Sequence, residues 1–169
     1  MENVNIRMAT PTDEPAIWEL LQQAIQRRKA AGSTQWQDGY PNPTVVQNDI
    51  QKSQGFVLTI HNVIAAYVAI IINDEPAYDG IEGTWLSNSN FVVLHRIAVA
   101  DDFIGKGYAS QLLQWAEQWA MEKQIWSIKA DTKYDNKGML HLFEKLEYQY
   151  CGEVFFRGGA RMAFEKLLK

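Results

Sequence analysis

Two glycines separated by one residue, placed where an apolar run gives way to a helical pattern, have the plainest chemical use in this chain. They lie in Val99-Ala100-Asp101-Asp102-Phe103-Ile104-Gly105-Lys106-Gly107-Tyr108-Ala109-Ser110. Backbone N–H groups at the start of a helix lack intrahelical partners and carry partial positive charge, so they can hold a pyrophosphate, and glycines let its oxygens come close. Lys106 adds a cation; a GxG turn before a helix is also ordinary turn chemistry. His95 lies in the apolar run Phe91–Val99. An imidazole titrates near neutrality and suits a general base, though it also suits a core hydrogen bond within a sheet. Asp131 ends the next apolar run and could bind or deprotonate an amine, or cap a turn.

The elements that must position these residues follow from pattern. Val4–Met8 alternates as a strand, and Thr10-Pro11-Thr12-Asp13 carries helix-start chemistry. Ile17, Leu20, Leu21, Ala24 and Ile25 form a helical stripe ending near Gly32, and Thr44 is a candidate cap for a second helix through Ile50. Phe56–Ile60 and Val63–Ile72, separated by His61-Asn62, predict a hairpin. Asp74–Asn90 reads as loop or weak strand. Phe91–Val99 is a strand, whose alternation places Val93, His95, Ile97 and Val99 on one face and Arg96 on the other. A helix carrying Ala109, Leu112, Leu113, Ala116 and Ala120 follows, then a strand over Ile125–Ala130 and a helix over Lys137–Leu146. Tyr148–Phe156 and Arg161–Phe164 are the final strands, and an exposed last strand is a candidate homodimer edge. The order is that of a mixed α/β sheet.

Composition narrows the classes. The 169 residues are 47% hydrophobic and 12% aromatic, enough to bury one core, so a single domain over 1–169 is expected. Sixteen Lys+Arg against 20 Asp+Glu give −4, which argues against a nucleic-acid binder with a basic face. The single cysteine, Cys151, excludes an intrachain disulfide and reads as a buried small hydrophobe. No His or carboxylate spacing suggests a metal site. No apolar run reaches the roughly 18 residues of a membrane span, and the amino end lacks signal-peptide character, which points to a cytoplasmic protein with neither a membrane nor a nucleic-acid partner. A Rossmann dinucleotide site fails on position, because only about 60 residues remain for the βαβ units it needs. No GxxxxGK[ST] string exists for a phosphate-loop NTPase.

Downstream, Asn136-Lys137-Gly138-Met139-Leu140-His141-Leu142-Phe143-Glu144-Lys145-Leu146-Glu147-Tyr148 is similar to the N-x-x-A-x-x-L-Y-x-x-x-G-F pattern of the GNAT N-acetyltransferase superfamily. Asp102-Phe103-Ile104-Gly105-Lys106-Gly107 resembles its Q/R-x-x-G-x-G/A loop, with Asp in place of Gln or Arg. The resemblance is motif-specific from about Leu94 to Tyr150. It implies a mostly antiparallel sheet, splayed between two strands and flanked by helices, with acetyl-CoA as acyl donor and no metal. Ile97, Ala98 and Val99 would pair with the pantetheine arm, as an added strand does. Ile104, Gly105, Lys106, Gly107, Tyr108, Ala109 and Ser110 would wrap the pyrophosphate, and Asn136, Met139 and Phe143 would line the other side of the arm. An N–H near Val99 could hold the developing oxyanion.

The implied reaction passes an acetyl group directly to a small-molecule amine. An acceptor with a lysine-like pKa near 10.4 costs roughly 4–5 kcal/mol to deprotonate at neutral pH. His95 is the first candidate base and Asp131 the second. The family's acid is often a Tyr at the position held by Phe143, which has no proton to give; Tyr134, Tyr148 and Tyr150 are alternative acids or packing residues. Trp36 and Tyr40 could form an apolar or cation-attracting acceptor wall, or pack over the core. Two other readings stay open: a non-catalytic sensor of acyl-CoA or another ligand, and a protein or peptide N-acetyltransferase.

Overall fold

The computed structural model describes residues 2–156 and 158–169. Its contacts gather into two compact units, one formed by the segment ending at Ile70 with Arg96–Trp115, the other by Ile71–His95 with Ala116–Lys169.

In the first unit, β1 (Val4–Met8) pairs antiparallel with β2 (Gly55–Ile60), and β2 with β3 (Val63–Ile72). The predicted hairpin closes through His61 and Asn62, both left-handed at φ 47° and 67°, the backbone that a two-residue turn needs to match strand twist. Helix α1 (Glu14–Ala30) buries Ile17, Leu20, Leu21 and Ala24. They share a cluster with Trp36, Val46, Val57 and Tyr67. Helix α2 (Pro43–Gln51) begins earlier than Thr44: the Asn42 carboxamide accepts from the Val45 N–H at 3.0 Å, and Pro43 takes the first turn, where a missing N–H costs nothing. Strand β5 (Val92–Val99) ends in this unit, where the Ala100 N–H donates to the Ala65 carbonyl at 2.8 Å, and helix α3 (Tyr108–Glu122) starts here.

In the second unit, Val92, Val93 and Leu94 of β5 pair in parallel with Ile128, Lys129 and Ala130 of β6 (Ser127–Thr132). That parallel pairing stops at Leu94–Ala130. The sequence put this strand two residues too early, because Ile125 belongs to the turn that closes α3. Gln124 is left-handed at φ 59°, and the Ile125 N–H reaches back to the Ala120 carbonyl at 2.9 Å. Strands β8 (Gly159–Leu167), β7 (Gln149–Phe156) and β4 (Glu82–Gly83) continue antiparallel in the order β6-β8-β7-β4. Helix α4 (Lys137–Lys145) packs beside them, and the stretch expected as loop contains a 3-10 turn, Pro76–Gly80, besides β4. The result is the mixed, mostly antiparallel α/β fold expected. Among the described residues no helix is long and apolar enough to cross a membrane.

One expectation fails inside β5. Arg96 is left-handed at φ 56°, so the strict alternation drawn from Val93 to Val99 breaks at that residue. A non-glycine residue there costs roughly 1–3 kcal/mol and persists only when its surroundings over-determine it. They do. Arg96 donates from Nε and Nη2 to the two oxygens of Asp49 at 2.8 and 2.6 Å, and from Nη1 to the Tyr40 hydroxyl. Tyr67 donates to the same carboxylate at 2.6 Å. Both charged side chains are nearly buried, 8% and 5% exposed. Gly55 makes room for this arrangement, since a Cβ there would stand 2.8 Å from the Tyr67 hydroxyl oxygen.

Two consequences are measurable. Asp49→Ala strands a buried guanidinium and should cost about 3–5 kcal/mol in urea unfolding, whereas Tyr67→Phe, which leaves the ion pair intact, should cost about 1 kcal/mol. Asp13 accepts from Arg7 at 2.7 and 3.0 Å and from the Thr10 N–H at 2.7 Å. The Arg7 hydrogen bonds hold its carboxyl well below the usual range, at about 2. A depressed carboxyl stabilises the fold above its unfolded pKa near 3.9, and that contribution fades as pH falls toward about 2. Because Arg7 is partly solvated, Asp13→Asn should lose only about 1–2 kcal/mol at pH 7. The difference from the wild type should close as the pH is lowered from about 4 toward 2 in urea melts.

Candidate active site

The glycine loop is built within the first unit. From α1, Arg27 donates to the Val99 carbonyl at 2.7 Å and pairs with Asp101, and the Gln23 side chain accepts the Asp101 N–H at 2.8 Å. A 3-10 turn, Asp101–Phe103, then leads to Gly105 and Gly107, left-handed at φ 77° and 84°. A Cβ at either would meet no protein atom within 4 Å, so the backbone conformation, not crowding, calls for glycine there. Ile104 and Lys106 are exposed, Ala109 half-buried, and Tyr108 and Ser110 buried. The Lys106 ammonium stands 6.0 Å from the Phe103 ring, which in turn meets Tyr108 edge-on. Ala98 is buried, with Ile97 and Val99 partly exposed. An open turn with two left-handed glycines, a lysine and the free N–H groups of α3 fits a pyrophosphate.

The predicted acceptor wall lies in the same unit. Trp36 is left-handed at φ 64°, with the Arg28 guanidinium 3.9 Å from its ring centroid. It lines an open pocket of about 410 Å³ with Trp18, Ile25, Pro41, Gln22 and Gln26, and none of the residues around that pocket is ionisable. Tyr40 does not line it; its hydroxyl accepts from Arg96.

Both candidate proton-transfer residues lie in the second unit, and each has a partner that sequence reasoning missed. His95 Nε2 is 2.7 Å from Glu75 Oε2. Asp131 Oδ2 accepts from the Tyr78 hydroxyl at 2.6 Å, and its Oδ1 lies 3.5 Å from Arg161. Burial, and then the neighbouring Asp131, push the Tyr78 hydroxyl well above its ordinary pKa, so it keeps its proton and donates it to that bond. Rings tie the two pairs together: the Tyr78 and His95 centroids are 6.4 Å apart, and the Phe156 ring meets both edge-on at 6.5 and 6.4 Å. The Trp85 indole donates to the Tyr78 carbonyl at 3.0 Å. One local signal existed: Glu75 precedes a proline and caps the 3-10 turn, accepting from the Ala77 N–H at 3.2 Å.

On α4, the Asn136 carboxamide caps the helix by accepting from the Met139 N–H at 3.2 Å. Phe143 is fully buried and packs on Phe164 and Tyr148 at 4.9 and 5.3 Å. Tyr134 and Tyr150 are exposed, while Tyr148 is buried. Cys151 is buried, and burial followed by the Glu165 charge pushes its thiol up, away from the nucleophilic thiolate. Among the described residues no three His, Cys, Asp or Glu side chains gather as a metal site would require.

Known proteins share this fold. An acetyltransferase of the GNAT family from Streptococcus agalactiae superposes with a TM-score of 0.90 at 35% identity, covering 98% of this chain and 96% of that one. A GNAT-family acetyltransferase from Listeria monocytogenes, at 22% identity and TM-score 0.78, shares the fold over 98% of this chain and 95% of its own. The uncharacterised N-acetyltransferase YesJ of Bacillus subtilis is 25% identical over 83% of this chain and 78% of its own length. A streptothricin acetyltransferase from Escherichia coli is 26% identical over 54% of this chain and 51% of its own. The pattern of the acetyltransferase (GNAT) family matches residues 17–148, which carry both the glycine loop and His95, and the chain belongs to that family.

Proposed function

We propose that this protein transfers the acetyl group of acetyl-CoA to a primary amine of a small molecule by direct attack on the thioester. The observation that carries this reading is the pairing of Glu75 with His95, which lies on the strand that leads to the glycine loop. With Nε2 bonded to Glu75, Nδ1 of His95 is left to accept a proton from the acceptor ammonium, and the carboxylate steadies the imidazolium that results. The amine nitrogen then bonds to the carbonyl carbon as the carbon–sulfur bond breaks, and the sulfur leaves as thiolate and takes up the proton that the new amide nitrogen sheds. Phe143, buried and without a hydroxyl, gives that thiolate no proton as it departs, so either another group protonates it or it leaves unassisted. Ile97–Val99 offer backbone groups to the pantetheine arm, while Ile104–Ser110 hold the pyrophosphate. Trp36 supplies an aromatic wall to the acceptor. Similarity to a streptothricin acetyltransferase favours a small molecule over a protein as acceptor.

The cofactor half is tested by calorimetry: acetyl-CoA should bind and raise the melting temperature by linkage. Gly107→Val, which forces a β-branched residue into a left-handed turn, should weaken binding at least about tenfold. Wild-type-like affinity in that variant would remove the loop from the site. The catalytic half rests on a thiol-release screen over amines. His95→Gln should lower kcat by roughly 10²–10⁴-fold and flatten the neutral limb of the pH–rate profile. Binding of acetyl-CoA without thiol release from any amine would favour the sensor.

A further inference from the structure

Arg161 is a charged residue of the second unit whose own fold leaves donors unused. It lies on β8 opposite Val154 of β7, with its side chain 14% exposed. A guanidinium keeps its charge at any ordinary pH and presents five N–H donors. Among the described residues Arg161 makes one ion pair, at 3.5 Å to Asp131, and no hydrogen bond; its Nε is buried without a partner. The contrast is Arg96, whose nitrogens are taken by both oxygens of Asp49 and by Tyr40. A purely structural arginine resembles Arg96, because burying unused charged donors is costly.

The place of Arg161 supplies the rest. Its guanidinium carbon is 5.1 Å from the Phe156 ring centroid, and the His95 imidazole meets the same ring at 6.4 Å. The unused donors and the candidate base therefore flank one aromatic side chain. The adjacent Asp131 has its Oδ2 occupied by Tyr78, and together Asp131 and Arg161 are neutral. A dianion such as a phosphate monoester would meet the Asp131 carboxylate with net repulsion. A planar monoanion matches the guanidinium fork and can be held bidentately.

We propose that Arg161 binds a carboxylate on the acceptor, so that the acceptor is an amino-acid-type molecule whose amine faces His95 while its carboxylate sits on Arg161. This rests on the reading of the chain as an amine acetyltransferase. Specificity then comes from a zwitterion meeting charges of both signs: Arg161 for the carboxylate, and the Glu75 carboxylate at His95 for the ammonium. An acceptor lacking the carboxylate leaves the guanidinium unpaired and is disfavoured for that reason.

The test uses matched probes, the free L-amino acids and their carboxamides, with spermidine as an amine without any acid. In thiol-release assays the best amino acid should exceed its own amide in kcat/KM by at least about tenfold. Arg161→Gln should collapse that ratio while retaining wild-type affinity for acetyl-CoA, and Arg161→Lys, which keeps charge but not the fork, should restore it only in part. A wild type that treats acid and amide alike, that prefers spermidine, or whose Arg161→Gln variant loses both probes equally overturns the proposal. Melting shifts separate it from the catalytic reading. If no amine releases thiol, stabilisation of the wild type by amino acids but not amides, absent in Arg161→Gln, still supports carboxylate binding. Absence of any shift overturns it.

Discussion

Strand β5 turns left-handed at Arg96, and the Asp49 carboxylate makes that conformation tolerable. The backbone cost is roughly 1–3 kcal/mol, and charge-assisted bidentate bonds in a buried setting offset it. Asp49 comes from α2, and its position is in turn fixed by the Tyr67 hydroxyl of β3 and by the Asn42 cap that starts the helix. One side-chain pair thus couples a helix start, a neighbouring strand and a left-handed residue. Arg96 lies two residues after the last parallel pair with β6 and one before Ile97. A strand that continued its regular pleat would present His95 and Ile97 to the same face; the left-handed residue between them removes that constraint.

Much of this was legible locally. Glycines at 105 and 107, a two-residue hairpin turn at His61-Asn62, and helical stripes at Ile17–Ala24 and Ala109–Ala120 each declare themselves within a few residues, because backbone conformation and periodicity are local properties. What stayed hidden is the set of partners. Glu75 meets His95 across 20 positions, Tyr78 meets Asp131 across 53, and Arg96 meets Asp49 across 47. No spacing rule reaches that far, since such contacts depend on strand order and register. Alternation misled within β5 for a related reason: it assumes an unbroken strand, and the bond that breaks this one comes from a helix more than forty residues away.

The irregular stretch carrying Glu75 and Tyr78 is not loosely held, which bears on whether its residues can do chemistry. At its base the Asn73 N–H donates to the Phe91 carbonyl at 3.0 Å, and the Phe91 N–H returns to the Asn73 side chain at 2.8 Å. Further along, Glu165 of β8, fully buried, accepts from the Leu86 N–H at 2.7 Å and from the hydroxyls of Ser87 and Ser127 at 2.6 Å each. The Lys129 ammonium lies 4.4 Å from the Trp85 ring centroid and 4.1 Å from that of Phe91. A buried carboxylate satisfied by three donors is expensive to disturb, because losing any one leaves charge unsolvated. The loop is therefore fastened to β6 and β8. That fastening lets the stretch between β3 and β5 hold Glu75 at 2.7 Å from His95.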